Sequence, residues 1–290
     1  MSDHELIEKI KKAKKIQDVL NVNDLKGEFA VIAKRIHPDI CKASGASDAM
    51  AILTNLRDHY INGKQITDDA GTISTNGYFV KITGDKGLLQ KSFNNLNMLR
   101  STAMDAWLFH KYIPYGAKFT GGVMEFNLLR RGIPLSEIGQ LDQKHVNWIL
   151  SRLLEFSAWL ERIGYVHGGF NLESIFVTPE DHGIQVVSFY HMKRMNTRLE
   201  TVSAKYRNWY PAETFVDKMA VTSIDIELSK KIAISLLGDK SGSGIKLRKT
   251  HNADFINFVV NRSDNAASTY LKYRELLTKN FKKKFHVLDL

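Results

Sequence analysis

Two short stretches hold the polar side chains whose types and spacing bear on chemistry. The first runs from Tyr165 to Tyr190, YVHGGFNLESIFVTPEDHGIQVVSFY. It opens on a polar loop at His167-Gly168, passes through Gly169 and Ser174, and closes on Ser188-Phe189-Tyr190. Gly169 carries no side chain, and Ser174 and Ser188 offer only neutral hydroxyls, poor ligands for a hard dication. Glu173 lies in the loop, whereas Glu180 and Asp181 fall at the far turn of a hairpin. His167 reads as a loop histidine with a structural task. The second stretch is His37-Pro38-Asp39, directly after a basic amphipathic run.

The elements that must position these residues follow from periodicity. Val146, Ile149, Leu150, Leu153, Leu160 and Ile163 form the apolar face of the strongest helix in the chain, which Gly164 ends just before His167. Ser174 to Val177 and Ile184 to Val187 read as two strands joined by a turn at Thr178 to Asp181. Upstream, an apolar stripe over residues 5–20 predicts one helix. Phe29, Ile32, Ala33 and Ile36 predict a second, stopped by Pro38, and Ala49, Ile52, Leu53, Leu56 and Tyr60 a third. Residues 64–71 carry turn chemistry and read as a linker. Beyond it, Tyr78 to Ile82 and Leu88-Leu89 read as strands about a hairpin turn at Gly84 to Gly87, with helical spacing from Asn95 to Tyr112. Helices over about 228–237, 252–262 and 266–285 complete the chain. The expected class is α+β. An all-α bundle over 1–63 precedes a body over 72–290 with a small β-rich part and a helical part.

The order of helix, polar loop, strand, turn, strand and Ser188-Phe189-Tyr190 resembles the catalytic loop and metal-binding segment of a protein kinase. Gly169, Ser174 and Ser188 stand where that family has its catalytic Asp, its magnesium-holding Asn and the Asp of its DFG triplet. Further similarities keep the family's order over residues 72–285. Gly122 to Asn127 resembles the hinge, and Ile133 to Ile138 the short helix start after it. Tyr206 to Glu213 resembles the end of the activation segment, with Pro211-Ala212-Glu213 in altered order. Thr222 to Ile226 resembles the start of the central buried helix. The resemblance implies a bilobal kinase-like fold without catalytic residues, a pseudokinase. It makes Glu213 and Asp225 structural, with Asp225 capping backbone donors of the loop. It matches Lys91 to the strand lysine that holds ATP phosphates, although a solvated lysine is the favoured reading, and it leaves Asp105 as the nearest acid on the following helix. No cofactor is expected; ATP binding is the disfavoured alternative.

Asp18 to Val22, Ala33 to Asp39 and the third helix around the HPD tripeptide are similar to a J-domain. That resemblance implies docking on a DnaK-type chaperone and stimulation of its ATP hydrolysis. His37, Pro38 and Asp39 would act at the partner's nucleotide domain, and Lys34, Arg35 and Lys26 would supply electrostatic attraction. The chain departs from the family at Asn21, where glycine is usual, and at Ala30 and Val31, where polar residues are common.

Composition bounds the function classes. With 290 residues and 43% hydrophobic content the chain can build a sizeable core. No run of about twenty apolar residues implies a membrane span, and no secretory signal opens the sequence. A single Cys41 leaves no intramolecular disulfide and fits a reducing, cytoplasmic setting. The net charge of +10 raises nucleic acid as a partner. Residues 1–64 hold eleven Lys/Arg against nine Asp/Glu, so most of that excess lies downstream, partly in Lys279, Lys282, Lys283 and Lys284. The leading expectation is a co-chaperone whose pseudokinase body binds a protein client. An atypical phosphotransferase with a rearranged metal site comes second, and a nucleic-acid-binding accessory protein third.

Overall fold

The computed structural model describes residues 1–21, 24–102, 106–282 and 288, with the side chains of 59, 61, 62 and 106 also left out. Asp105, Val22, Lys283 and Lys284 lie outside the described residues. The chain divides into two compact units: 1–65 with 74–76, and 66–73 with 77–290.

The first unit is helical. α1 (Asp3–Lys12) starts at a reciprocal cap, in which the Glu5 N–H donates to Ser2 Oγ at 3.2 Å and the Ser2 N–H to Glu5 Oε2 at 2.7 Å. Its buried stripe is Leu6, Ile7 and Ile10. The helix expected over 5–20 breaks at Ala13. The Asp18 carboxylate takes the N–H groups of Lys14 and Lys15, each at 2.9 Å, and the chain re-enters as a single 3₁₀ turn at Ile16–Asp18. α2 (Leu25–Ile36) is capped by Asp24 and ends at His37, where Pro38 has no N–H to continue it. α3 (Ala46–Asn62) packs on both α1 and α2. Leu6, Ile10, Leu20, Ile36, Ala49 and Leu53 make the shared core.

The second unit joins a sheet to a helical half. The sheet holds β1 (Lys64–Asp68, of which 66–68 fall in this unit), β2 (Gly71–Thr75, of which 71–73 do), β3 (Phe79–Gly84), β4 (Tyr115–Thr120) and β5 (Val123–Asn127), in the order β1-β2-β3-β5-β4. Between β3 and β4 run α4 (Lys86–Ser101) and the short α5 (Ala106–Phe109). β5 is antiparallel to both neighbours, and Lys81 lies opposite Glu125. β6 (Ile133–Pro134) leads to α6 (Gln143–Arg162), then β7 (Tyr165–Val166), the hairpin β8 (Ile175–Thr178) and β9 (Gly183–Val186), and β10 (Lys193–Arg194). β10 pairs with β7, and β6 with β8. α7 (Glu213–Asp217), α8 (Thr222–Leu236), α9 (Ala253–Val260) and α10 (Ala266–Asn280) complete the unit. Thirteen of the fifteen residues of α8 are buried, which makes it the axis of the helical half. One hydrophobic core runs from Ile73 and Val80 of the sheet to Ile224 and Ile232 of α8.

Three expectations are corrected. Residues 64–71 are not a linker: β1 and its turn into β2 occupy them, and Ile66 enters the core. Lys64-Gln65-Ile66-Thr67-Asp68 has one apolar residue, too few to display a period of two. Gly84 to Gly87 is not a hairpin turn. The Asp85 carboxylate accepts the Leu88 N–H at 2.8 Å and starts α4, so Leu88, Leu89 and Lys91 are helical rather than extended. Consequently the helix begins at Lys86 and ends at Ser101, not over 95–112, with Leu89, Ser92, Leu96 and Leu99 buried. Asp85→Ala removes this cap and should destabilise the protein by about 1 kcal/mol, while Asp85→Ser retains most of the stability. Urea unfolding of the two variants checks the difference.

Candidate functional site

α6 delivers the chain through β7 to the loop 167–174, and α8 fixes that loop from below its backbone. The Asp225 carboxylate accepts the His167 N–H at 2.7 Å with Oδ2 and the Gly168 N–H at 2.8 Å with Oδ1. Both oxygens are engaged as acceptors, so the ionised form fits this geometry. Complete burial nevertheless pushes the carboxyl up to about 7, against the lowering effect of the two N–H bonds. Burial also pushes His167 down to about 3, which keeps the ring neutral. Its Nε2 lies 2.7 Å from the Ser188 carbonyl, an acceptor only, so Nε2 carries the proton and Nδ1 accepts the Gly169 N–H at 3.3 Å. The ring stacks on Phe170 with centroids 4.3 Å apart.

Ser188 and its neighbours are held by α4. The Ser92 hydroxyl accepts the Phe189 N–H at 2.9 Å, and Asn95 Nδ2 donates to the Phe189 carbonyl at 2.8 Å. Gly169 has no room for a side chain, because a Cβ there would sit 2.4 Å from His191 Cδ2. His191 therefore fills the space that an acid at 169 would need. Its Nδ1 lies 2.7 Å from the Thr201 hydroxyl and its Nε2 3.4 Å from Asp69 Oδ2.

The β1–β2 turn brings two carboxylates to this cluster. Asn171 Nδ2 donates to Asp68 Oδ1 at 3.1 Å, and Oδ2 is buried without a well-formed hydrogen bond, as is the Tyr190 hydroxyl. Burial holds the Asp68 carboxyl above the usual range, and the nearby Tyr190 hydroxyl only partly offsets it. Asp69 accepts the Ala204 N–H at 3.1 Å. Burial would raise its carboxyl, but the His191 and Ser203 interactions outweigh that and hold it below the ordinary value. Residues 200–210 cover the rest. Lys205 Nζ lies 2.6 Å from Glu173 Oε1, the Tyr206 hydroxyl donates to Glu173 Oε2 at 2.8 Å, and the Tyr210 hydroxyl donates to the Gly168 carbonyl at 2.8 Å.

The fold thus gathers His167, Gly169, Ser174, Ser188 and Asp225, but not Lys91. Lys91 Nζ pairs with Glu200 Oε2 at 2.5 Å, and Lys193 binds the other oxygen at the same distance. The bonds from Lys193 and Lys91 hold the Glu200 carboxyl down to about 2. Glu213 pairs with Arg262 at 2.5 Å. Ser174 Oγ is buried without a hydrogen bond, while its N–H donates to Asn171 Oδ1 at 2.7 Å. Sequence reasoning missed Asp68, Asp69, His191, Ser92 and Asn95. The adjacent acids of Thr67-Asp68-Asp69-Ala70 were visible, but only the strand pairing reveals that this turn reaches the loop. Among the described residues no group of three or more His, Cys, Asp or Glu is arranged to hold a metal ion.

The other candidate residues lie in the first unit. His37 caps α2, with its Nδ1 accepting the Asp39 N–H at 3.3 Å and lying 3.6 Å from Asp39 Oδ2. The Asp39 side chain is 86% exposed. Lys26 and Lys34 are exposed on α2. Arg35 is not free: it donates to Asp3 Oδ1 at 2.7 Å and to the Met1 carbonyl at 2.5 Å. Val31 and Ile40 are exposed apolar neighbours. No protein-family model matches the chain, and no curated protein matches it. No helix among the described residues is long and apolar enough to cross a membrane.

Asp225→Ala leaves two buried N–H groups without an acceptor and should cost about 2–5 kcal/mol, with Asp225→Asn costing less. The pH sign follows from the raised carboxyl. Unfolded Asp225 ionises near 4, whereas the folded group keeps its proton to about 7. The stability of wild type relative to Asp225→Asn should therefore fall as pH rises from about 4 to 7. Denaturant titrations across that window measure it.

Proposed function

We propose that this chain is a J-domain-type co-chaperone whose kinase-like body is a non-catalytic scaffold for a protein client. One observation carries the reading: a solvent-exposed His37-Pro38-Asp39 turn at the end of a capped helix whose outer face presents Lys26 and Lys34. Exposed cations of this kind steer an acidic partner and chiefly raise the association rate. The Asp39 carboxylate, almost fully exposed and tethered through its own N–H to His37, is the group offered to the partner at contact. Arg35 contributes less than Lys26 and Lys34, because two hydrogen bonds tie it to the start of the chain.

Three features support a body without phosphotransfer. Gly169, Ser174 and Ser188 supply no carboxylate to base or metal. Lys91 is committed to Glu200. The turn between the first two strands, which in protein kinases covers the nucleotide phosphates with glycine N–H groups, here presents Asp68 and Asp69. Asp69, whose carboxyl is held below the ordinary value, repels phosphate there rather than cradling it. The body then serves by its surface, and the client is an unidentified protein.

The test is steady-state ATP hydrolysis by a DnaK-type chaperone with and without the full-length chain. Wild type should accelerate hydrolysis several-fold, and His37→Gln and Asp39→Asn should return it close to the basal rate. Lys26→Glu with Lys34→Glu should weaken stimulation most at low salt, where exposed charges act furthest. Equal stimulation by wild type and His37→Gln would remove the reading.

A further inference from the structure

A cavity of about 340 Å³, sharing no lining residue with the loop 167–174, lies among the 3₁₀ turn His110–Tyr112, the segment after β5, α6 and the β8–β9 hairpin. Its volume falls at the lower end of the range for small-molecule sites. Three cations line it, Lys111, Arg130 and Arg152, with Asp181 in the lining and Glu155 directly behind it, bonded to Arg152 and to the Tyr112 hydroxyl. The Asp181 carboxylate is already committed. Its Oδ1 accepts the Thr178 hydroxyl at 2.5 Å and the Gly183 N–H at 3.0 Å, and Oδ2 stands 3.8 Å from Arg130.

The cations are less committed. Arg152 uses Nη1 on Glu155 at 3.0 Å and Nε on the His182 carbonyl at 3.2 Å, and also interacts with the Tyr112 hydroxyl, so it is the most committed of the three. Lys111 Nζ stands 4.9 Å over the Tyr112 ring and meets no carboxylate within ion-pair distance among the described residues. Arg130 is held only by the long contact to Asp181.

Gln185 adds an independent observation. It is 1% exposed and lines the same cavity. Its Oε1 accepts the Leu129 N–H at 3.0 Å, which fixes the amide orientation. The amide Nε2 is then left buried without a hydrogen-bond partner. An unpaired buried donor is costly, and an acceptor oxygen relieves that cost. With Glu155 and Asp181 set against the three cations, the site keeps one net positive charge and an unsatisfied donor. Its walls are planar or apolar: the Tyr112 ring, Leu129, and His182 stacked on Trp148 with centroids 4.7 Å apart.

We propose that this cavity binds a small organic oxyanion, a phosphate or carboxylate carried on a planar apolar body, held by Lys111, Arg130, Arg152 and Gln185. Guanidinium groups pair with such oxyanions in bidentate fashion, and Lys111 supplies a point charge. The site is independent of the co-chaperone reading, since it shares no residue with His37-Pro38-Asp39 or with the loop 167–174.

Isothermal titration of the full-length chain with phenyl phosphate, benzoate and inorganic phosphate tests it. Saturable binding of phenyl phosphate or benzoate is expected, weakened roughly tenfold by Lys111→Ala and by Arg130→Ala and unchanged by Arg131→Ala at the neighbouring exposed position. Tighter binding of phenyl phosphate than of benzoate identifies a phosphate ester as the favoured source, and the reverse order a carboxylate. Equal affinity for inorganic phosphate and phenyl phosphate would overturn the planar body. Absence of saturable binding by all three probes, or binding that survives the Lys111→Ala/Arg130→Ala pair, overturns the site itself. Both substitutions are at exposed or half-exposed side chains, so unfolding does not obscure the result.

Discussion

The second unit depends on one buried carboxylate. Asp225 takes the two consecutive N–H groups at the head of the loop 167–174, one on each carboxylate oxygen. With the loop start fixed, His167 reaches the Ser188 carbonyl, and Ser188-Phe189 is then caught from the other side by Ser92 and Asn95 of α4. One chain of hydrogen bonds therefore ties α8, the loop, the strand exit and α4 into a single arrangement. Complete burial makes this carboxyl costly to ionise, and its two N–H bonds only partly offset that cost. Its role as acceptor here is architectural.

The consequence of glycine at 169 spreads outward from this frame. The missing side chain lets His191 occupy the space, and His191 in turn links Thr201 to Asp69. Asp69 holds Ala204, Glu173 holds Lys205 and Tyr206, and Tyr210 returns to Gly168. Most polar groups around the loop are thus satisfied by residues 200–210 or by the β1–β2 turn. Asp68 Oδ2, Tyr190 and Ser174 are the exceptions. Such a network rigidifies what it fills.

What the sequence disclosed depended on how local the determining interaction was. α6 was legible because its apolar residues repeat at helical spacing and Gly164 ends it, the β8–β9 hairpin because two apolar runs flank a turn, and α8 from a continuous apolar run whose start was expected only from a resemblance. The pairing of Asp225 with the loop was expected from a resemblance, since its partners lie more than fifty residues away and leave no local trace. β1 was missed because a single isoleucine carries its burial. α4 was misplaced because Gly84-Asp85-Lys86-Gly87 has the composition of a turn, while Asp85 in fact acts as a helix cap. Asp68 and Asp69 were seen only as turn residues, and their place beside Asn171 and His191 is decided by strand order. In the first unit, α2 and the turn at Pro38 were readable from spacing, whereas the tether of Arg35 to Asp3 was not.

One unit presents an exposed charged turn, and in the other the loop 167–174 is surrounded by the protein's own side chains. Amide hydrogen exchange of the full-length chain, with and without magnesium ATP, bears most directly on that packing. The segments to follow are 66–73, 167–174 and 188–206. Unchanged exchange in all three is the expected result. Protection that rises with nucleotide concentration in these segments contradicts an interior filled by its own side chains.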